Sequence, residues 1–282
     1  MNYNQMVSEG IVNDLDMKKY HSTDDLSAHN LMDFILWCGQ GSVAQKNKTD
    51  KQTPAMLEGS LIHHMAQFRE YESEYALAPD IDRRTKAGKA EYAEFESQLG
   101  HRKAISRAQL DMATGCMEAL WSDPDARLFL ENGKMERSGF CKIMGVPVKA
   151  RPDIDCSHIA TSENFPALAD IKTRKVRAGK TEVWLSDFYN TGLYIQAGLQ
   201  ILVWRELGCH VDEYVHILVE RGAPYCVNVI KLPPEWKASC ILHVHNAIEK
   251  WKSWLENGSP KSYGQGIKIL PYPEWVEFKL AI

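Results

Sequence analysis

The chain has 282 residues, with 33 lysines and arginines against 37 aspartates and glutamates, a formal charge of −4, and hydrophobic and charged shares of 44% and 25%. This is the composition of a globular protein with ample core, and its mild acidity argues against a surface that coats nucleic acid everywhere while allowing basic groups confined to a groove or channel. No run of eighteen apolar residues occurs, so no membrane partner is expected, and the first sixteen residues lack a signal-peptide pattern, which points to the cytoplasm.

Residues 1–20 read as a loosely ordered lead-in. Ser27 is a candidate N-cap for a helix whose Leu31, Phe34 and Ile35 share one face. Residues 45–53 form a polar loop, and Pro54 then opens a stronger helix with Met56, Leu57, Leu61, Met65 and Phe68 at helical spacing. Two more helices are expected over 86–99 and 106–121, joined by a basic turn at 100–103. The pattern then changes to short strand-like runs over 134–142, 146–150 and 167–173. A long apolar helix over 184–207 follows, then strands at 213–220 and 225–232, and a last helix from Pro234 to about residue 255. With no repeat or low-complexity linker, the economical reading is one α/β domain over 1–282: a lead-in to 20, a mainly helical portion over 21–130, a sheet with helices over 131–255, and a tail over 256–282.

The chemistry concentrates at Arg151-Pro152-Asp153 and at Asp170-Ile171-Lys172-Thr173. On a strand, residues i and i+2 project to one face, so Asp170 and Lys172 stand together while Ile171 faces the opposite layer. Two hard carboxylates suit Mg²⁺, and a neighbouring ammonium can steady charge that builds on a phosphate. Asp153 has to come from an adjoining strand, and a separation of seventeen residues suits a hairpin or meander. An isolated D-x-K is also what a solvated strand end with a surface ion pair looks like. Basic residues gather at Arg83-Arg84-Thr85-Lys86, at Arg102-Lys103 and at Lys172 to Arg177, each readable as a solvated face or as a phosphate contact. Seven cysteines, odd in number and never spaced C-x-x-C, disfavour a disulfide framework, structural zinc and iron–sulfur chemistry. Neither H-E-x-x-H nor a P-loop occurs.

Gly59-x-x-x-His63, Asp153, Asp170-x-Lys172, and Tyr189 with Gln196 form a series that resembles the PD-(D/E)XK nuclease superfamily. Within it the phrasing is similar to the RecE-type exonucleases (exonuclease VIII): Tyr20-His21, Leu57-Glu58-Gly59-Ser60-Leu61-Ile62-His63, Arg83 to Lys89, Lys149-Ala150-Arg151-Pro152-Asp153 and Asp170-Ile171-Lys172-Thr173, over about residues 20–255. The resemblance implies a restriction-endonuclease-like α/β fold, a mixed central sheet flanked by helices with a helical N-terminal portion. It implies hydrolysis of duplex DNA from 5′ ends with two Mg²⁺ ions, Mn²⁺ being a substitute. It further implies a ring-shaped homo-oligomer, a trimer or tetramer, and a RecT-type single-strand annealing partner. Asp153, Asp170 and the Ile171 carbonyl match the metal ligands and Lys172 the catalytic lysine. His63 matches a histidine near the second metal, with His64 a rival that the Gly59 spacing disfavours. Gln196 matches the family's helix glutamine, and Tyr189 is equally an ordinary helix position. Glu136 stands either as an extra acidic residue near the metals or as a solvated strand glutamate. Arg83, Arg84, Lys86, Arg151 and Arg174 are the candidate DNA contacts. Two rivals remain: an endonuclease on the same fold, and a silent DNA-binding relative.

Overall fold

The structure, a computed structural model, describes residues 9–37, 53–159, 166–177 and 179–257. Its centre is a five-stranded mixed sheet. In spatial order the strands are β10 (Val227–Lys231), β9 (Glu213–Glu220), β8 (Ala167–Arg174), β7 (Ile154–Cys156) and β4 (Lys134–Met135). β8 and β9 are parallel, with Asp170 opposite His216 and Lys172 opposite Leu218, and the remaining pairs are antiparallel. Parallel neighbours need a long crossover, here supplied by helices α7 (Thr181–Asn190) and α8 (Leu193–Glu206).

Both faces of the sheet are covered, and β8 shows how. Leu168 enters a core formed with α2 (Ala28–Leu36), α7, α8 and α9 (Pro234–Asn257). Ala167, Ala169 and Ile171 enter the opposite core, formed with α3 (Pro54–Phe68), α5 (Arg107–Ser122) and α6 (Pro124–Asn132). The period of two thus places an apolar ladder on each side. Asp170 lies on the same side as Leu168, at zero exposure. A second, antiparallel sheet joins β1 (Gly10–Val12), β5 (Ser138–Ile143) and β6 (Val146–Ala150), and β2 (Tyr75–Leu77) pairs in parallel with β3 (Lys103–Ile105). The remaining helices are α1 (Met17–Ser22) and α4 (Lys86–Gln98). Among the described residues no helix is long and apolar enough to cross a membrane.

The mixed sheet flanked by helices is the fold class expected from the sequence, and several local expectations also hold. Ser27 caps α2 in a full capping box, and Thr53 caps α3 with Pro54 in its first turn. Others are corrected. The lead-in forms β1 and α1 from residue 10 on, because Tyr20 is buried against Phe140 and lies under the Arg151 guanidinium, 4.5 Å from its ring. The single strand expected over 134–142 divides into β4 and β5 at Glu136, whose φ of 47° breaks the extended run and sends the halves to different sheets. The single helix expected over 184–207 divides at Gly192, where φ is 76°. A side chain there would also collide with Leu36 and Met32 of α2. α6 was missed although Asp123 caps it and Pro124 begins it. β3 begins at Lys103, the last residue of the expected basic turn, and no strand is expected over 104–105. Residues 1–8, 45–52 and 258–282, which hold parts of the expected lead-in, loop and tail, lie outside the described residues.

Candidate active site

Asp153 immediately precedes β7, and the register of β7 on β8 ends at Ile154 opposite Ala169. Beyond that point a side chain replaces the ladder: the Ile171 N–H donates to Asp153 Oδ2 at 2.7 Å. Asp170, on the other face of β8, accepts a hydrogen bond from Gln196 Nε2 of α8 at 2.9 Å through Oδ1 and is ion-paired through Oδ2 with Lys172. His63 of α3 places Nδ1 3.5 Å from Asp153 Oδ1. His64 instead lies beside Glu70 Oε1 at 3.1 Å and Ser73 Oγ at 3.2 Å, against the ring of Phe68. Six of the sequence candidates, His63, Asp153, Asp170, Ile171, Lys172 and Gln196, therefore converge from three elements and the residue before β7.

Their charges act on one another. Burial and the Asp153 charge push Asp170 up to about 6, against the pull of Lys172. Burial would also raise Asp153, but His63, Lys172 and the Ile171 N–H hold it below the ordinary carboxylate value. Burial opposes a charged Lys172, yet Asp170 and Asp153 keep its pKa above the usual lysine value. His63 behaves likewise, with Asp153 outweighing burial and raising it. The site thus joins two carboxylates that repel each other to a lysine and a histidine that hold them in place.

A layer that sequence reasoning missed supports this cluster. Gln200, one turn after Gln196 on α8, donates from Nε2 to the Arg151 carbonyl at 3.1 Å and accepts from the Tyr214 hydroxyl at 2.6 Å. Two glutamines at i and i+4 share a helix face, so α8 grips β8 with one and the chain entering Asp153 with the other. That spacing was the available signal. Arg151 has a side chain only 7% exposed, donating to Ser138 Oγ at 2.8 Å and Leu15 O at 2.6 Å. Glu136 gives its N–H to the Asp153 carbonyl at 2.9 Å, and its carboxylate lies 3.6 Å from Arg151.

The remaining candidates stand elsewhere. Tyr189, 45% exposed at the end of α7, rests against Tyr194 and Trp236. Arg174 is ion-paired with Asp187 and lies over the Trp184 ring. Arg83 stacks on Tyr92 at 3.6 Å, Arg84 binds Asp82 through two hydrogen bonds, and Lys86 is the first residue of α4. The recorded partners of Arg83 and Arg84 belong to their own turn and helix.

His216, the register partner of Asp170, is boxed by the rings of Trp184, Tyr214 and Phe188 at 4.9, 5.2 and 5.4 Å. Burial, then the Lys172 charge, lower its pKa from 6.5 to about 3. The fold therefore favours the neutral ring. Its contribution is complete above the unfolded value and is lost as the pH falls from about 6.5 towards 3, at up to about 1.4 kcal/mol per pH unit. His216→Phe should keep the ring packing and flatten that acid decline in urea titrations run at successive pH values. Equal slopes for the two proteins would rule this out.

The donor set fits a hard divalent ion. Asp153, Asp170 and the Ile171 carbonyl offer oxygen ligands, and two neighbouring carboxylates, one of them fully buried, are the donor chemistry such an ion takes. Among the described residues no group of three or more His, Cys, Asp or Glu side chains is arranged to hold a metal.

A helix-flanked mixed sheet with a carboxylate, a D-x-K strand and a glutamine-bearing helix at one place is the arrangement of the PD-(D/E)XK nuclease class. Residues 27–266 match the PDDEXK-like domain of unknown function (DUF3799), and the chain belongs to that family. It is also similar in fold to a crystal structure from Eubacterium rectale described as a "putative exonuclease". That match has 12% identity and a TM-score of 0.58, and it covers 96% of this chain and 100% of the other. No curated protein matches the sequence.

Proposed function

We propose that this protein is a Mg²⁺-dependent exodeoxyribonuclease that digests linear duplex DNA from 5′ ends, leaving 3′ single strands for a RecT-type annealing protein. The observation that carries the reading is the meeting of Asp153 with Asp170 and Lys172 at the edge where β7 leaves β8. Asp153, Asp170 and the Ile171 carbonyl would hold one ion, and Asp153 with His63 a second; Mn²⁺ would serve in place of Mg²⁺. When bound, such ions supply Lewis acidity, acidify water and neutralise phosphate charge.

The chain's own groups do the positioning. Gln196 fixes the rotation of the Asp170 carboxylate, and Gln200 holds the main chain leading into Asp153. Lys172, kept protonated by both carboxylates, presents its ammonium to phosphate oxygens as their charge increases. Hydrolysis adds water across the P–O3′ bond and yields a 5′-phosphate and a 3′-hydroxyl. Preference for ends and 5′ polarity draw their support from the similarity of the motif series to RecE-type exonucleases. A ring of three or four copies would reconcile the charge of −4 with DNA binding, since only the lumen need be basic. Arg83, Arg84 and Lys86 are the proposed backbone contacts, which would position DNA without reading its bases.

The test is digestion of a linear duplex labelled separately at each 5′ and 3′ end, with Mg²⁺ or with EDTA, beside a closed circular control. Early release of the 5′ label with Mg²⁺ alone, and an intact circle, is the expected result. Cleavage of the circle would mean an endonuclease, and no cleavage with either Mg²⁺ or Mn²⁺ would mean a silent DNA-binding relative.

A further inference from the structure

We infer that Gly59 is the place where the substrate strand lies against α3, its missing side chain leaving room for a sugar–phosphate backbone; this rests on the nuclease reading above. Glycine inside a helix weakens it relative to alanine and persists where something needs the space. At the other glycines inside described helices the protein itself needs it. A Cβ would meet Asp82 O at 2.2 Å from Gly88, the Tyr225 ring at 2.3 Å from Gly115, and Cys240 O at 2.4 Å from Gly198. At Gly59, in the interior of α3, a Cβ would meet nothing within 4 Å among the described residues. The backbone is ordinary right-handed helix there, so no special φ calls for glycine either. Among the described residues neither packing nor conformation accounts for the glycine.

Its position says what the space is for. Gly59 is four residues before His63, on the same helix face, and His63 lies 3.5 Å from Asp153. Its other neighbour, Glu58, accepts from Arg221 Nη1 at 2.7 Å, while the Arg221 N–H donates to the carbonyl of Arg174, two residues beyond Lys172 on β8. Gly59 thus stands one turn before His63, which faces Asp153, and next to Glu58, which lines a cavity of about 360 Å³ together with Lys175 and Arg221 among others. A strand whose scissile phosphate sits at Asp153 and Asp170 would cross Gly59 on its way to those two cations. Glu58 offsets Arg221 there, so Lys175 carries the excess positive charge that suits a phosphodiester backbone.

The experiment compares wild type with Gly59→Ala and Gly59→Val. It reads the thermal midpoint, the affinity for a short fluorescein-labelled duplex with Ca²⁺ in place of Mg²⁺, and cleavage with Mg²⁺. Gly59→Ala should raise the midpoint by about 2 °C, since it improves helix propensity in open space, yet weaken DNA binding by about tenfold. Gly59→Val should weaken binding further. A more stable Gly59→Ala protein that binds and cuts like wild type would overturn the inference and leave the nuclease reading standing. A lowered midpoint would also overturn it, because the space would then not be open. Wild type that neither binds nor cuts DNA would remove the nuclease reading and this inference with it.

Discussion

Replacing Asp170 by asparagine is expected to cut DNA cleavage by ~10³-fold or more while the protein melts within a few degrees of wild type. The amide has the carboxylate's shape and still accepts from Gln196 Nε2 at the Oδ1 position, so the grip of α8 on β8 survives. What disappears is a buried negative charge already pushed up to about 6 by burial and by Asp153, which makes its loss tolerable to the fold. The same charge is the one that a divalent ion would relieve. Wild type should therefore gain thermal stability on addition of Mg²⁺ by mass action, and Asp170→Asn should not. Initial rates on an end-labelled duplex, with melts in the presence and absence of Mg²⁺, check both statements. A variant that cuts at the wild-type rate would remove Asp170 from the chemistry.

Lys172→Met separates two roles of the lysine that point in opposite directions. Cleavage should fall by about 10²–10³-fold, the usual cost of removing a group aimed at developing charge. Metal binding should become tighter. In the wild type the ammonium is already ion-paired with Asp170 and attracted by Asp153, so it competes with any cation for the same oxygens. Methionine leaves the two carboxylates facing each other without that partner, and the stability gained from Mg²⁺ should exceed that of wild type. A gain equal to or smaller than wild type's would show that Lys172 does not compete. Retained cleavage would show that its charge is not used in catalysis.

The sequence by itself determined what depends on near neighbours. The D-x-K spacing puts Asp170 and Lys172 on one side of β8, because a strand alternates faces whatever surrounds it. The four-residue step from Gly59 to His63 puts both on one face of α3, and the capping residues Ser27 and Thr53 mark where two helices begin. Only the tertiary structure decided which distant groups meet. Arg151 is a candidate DNA contact by its place in the motif series, but Tyr20, Leu15 and Ser138 enclose it. No charge count could foretell that, since burial depends on what folds over a residue. Gln200 meets the Arg151 carbonyl across 49 residues and Arg221 meets Glu58 across 163, contacts that exist only once the sheet has brought chain-distant segments together. Glu136 and Gly192 divided elements that looked continuous because two sheets and a packed helix pair compete for the chain there, and long-range packing outweighs local propensity at such points.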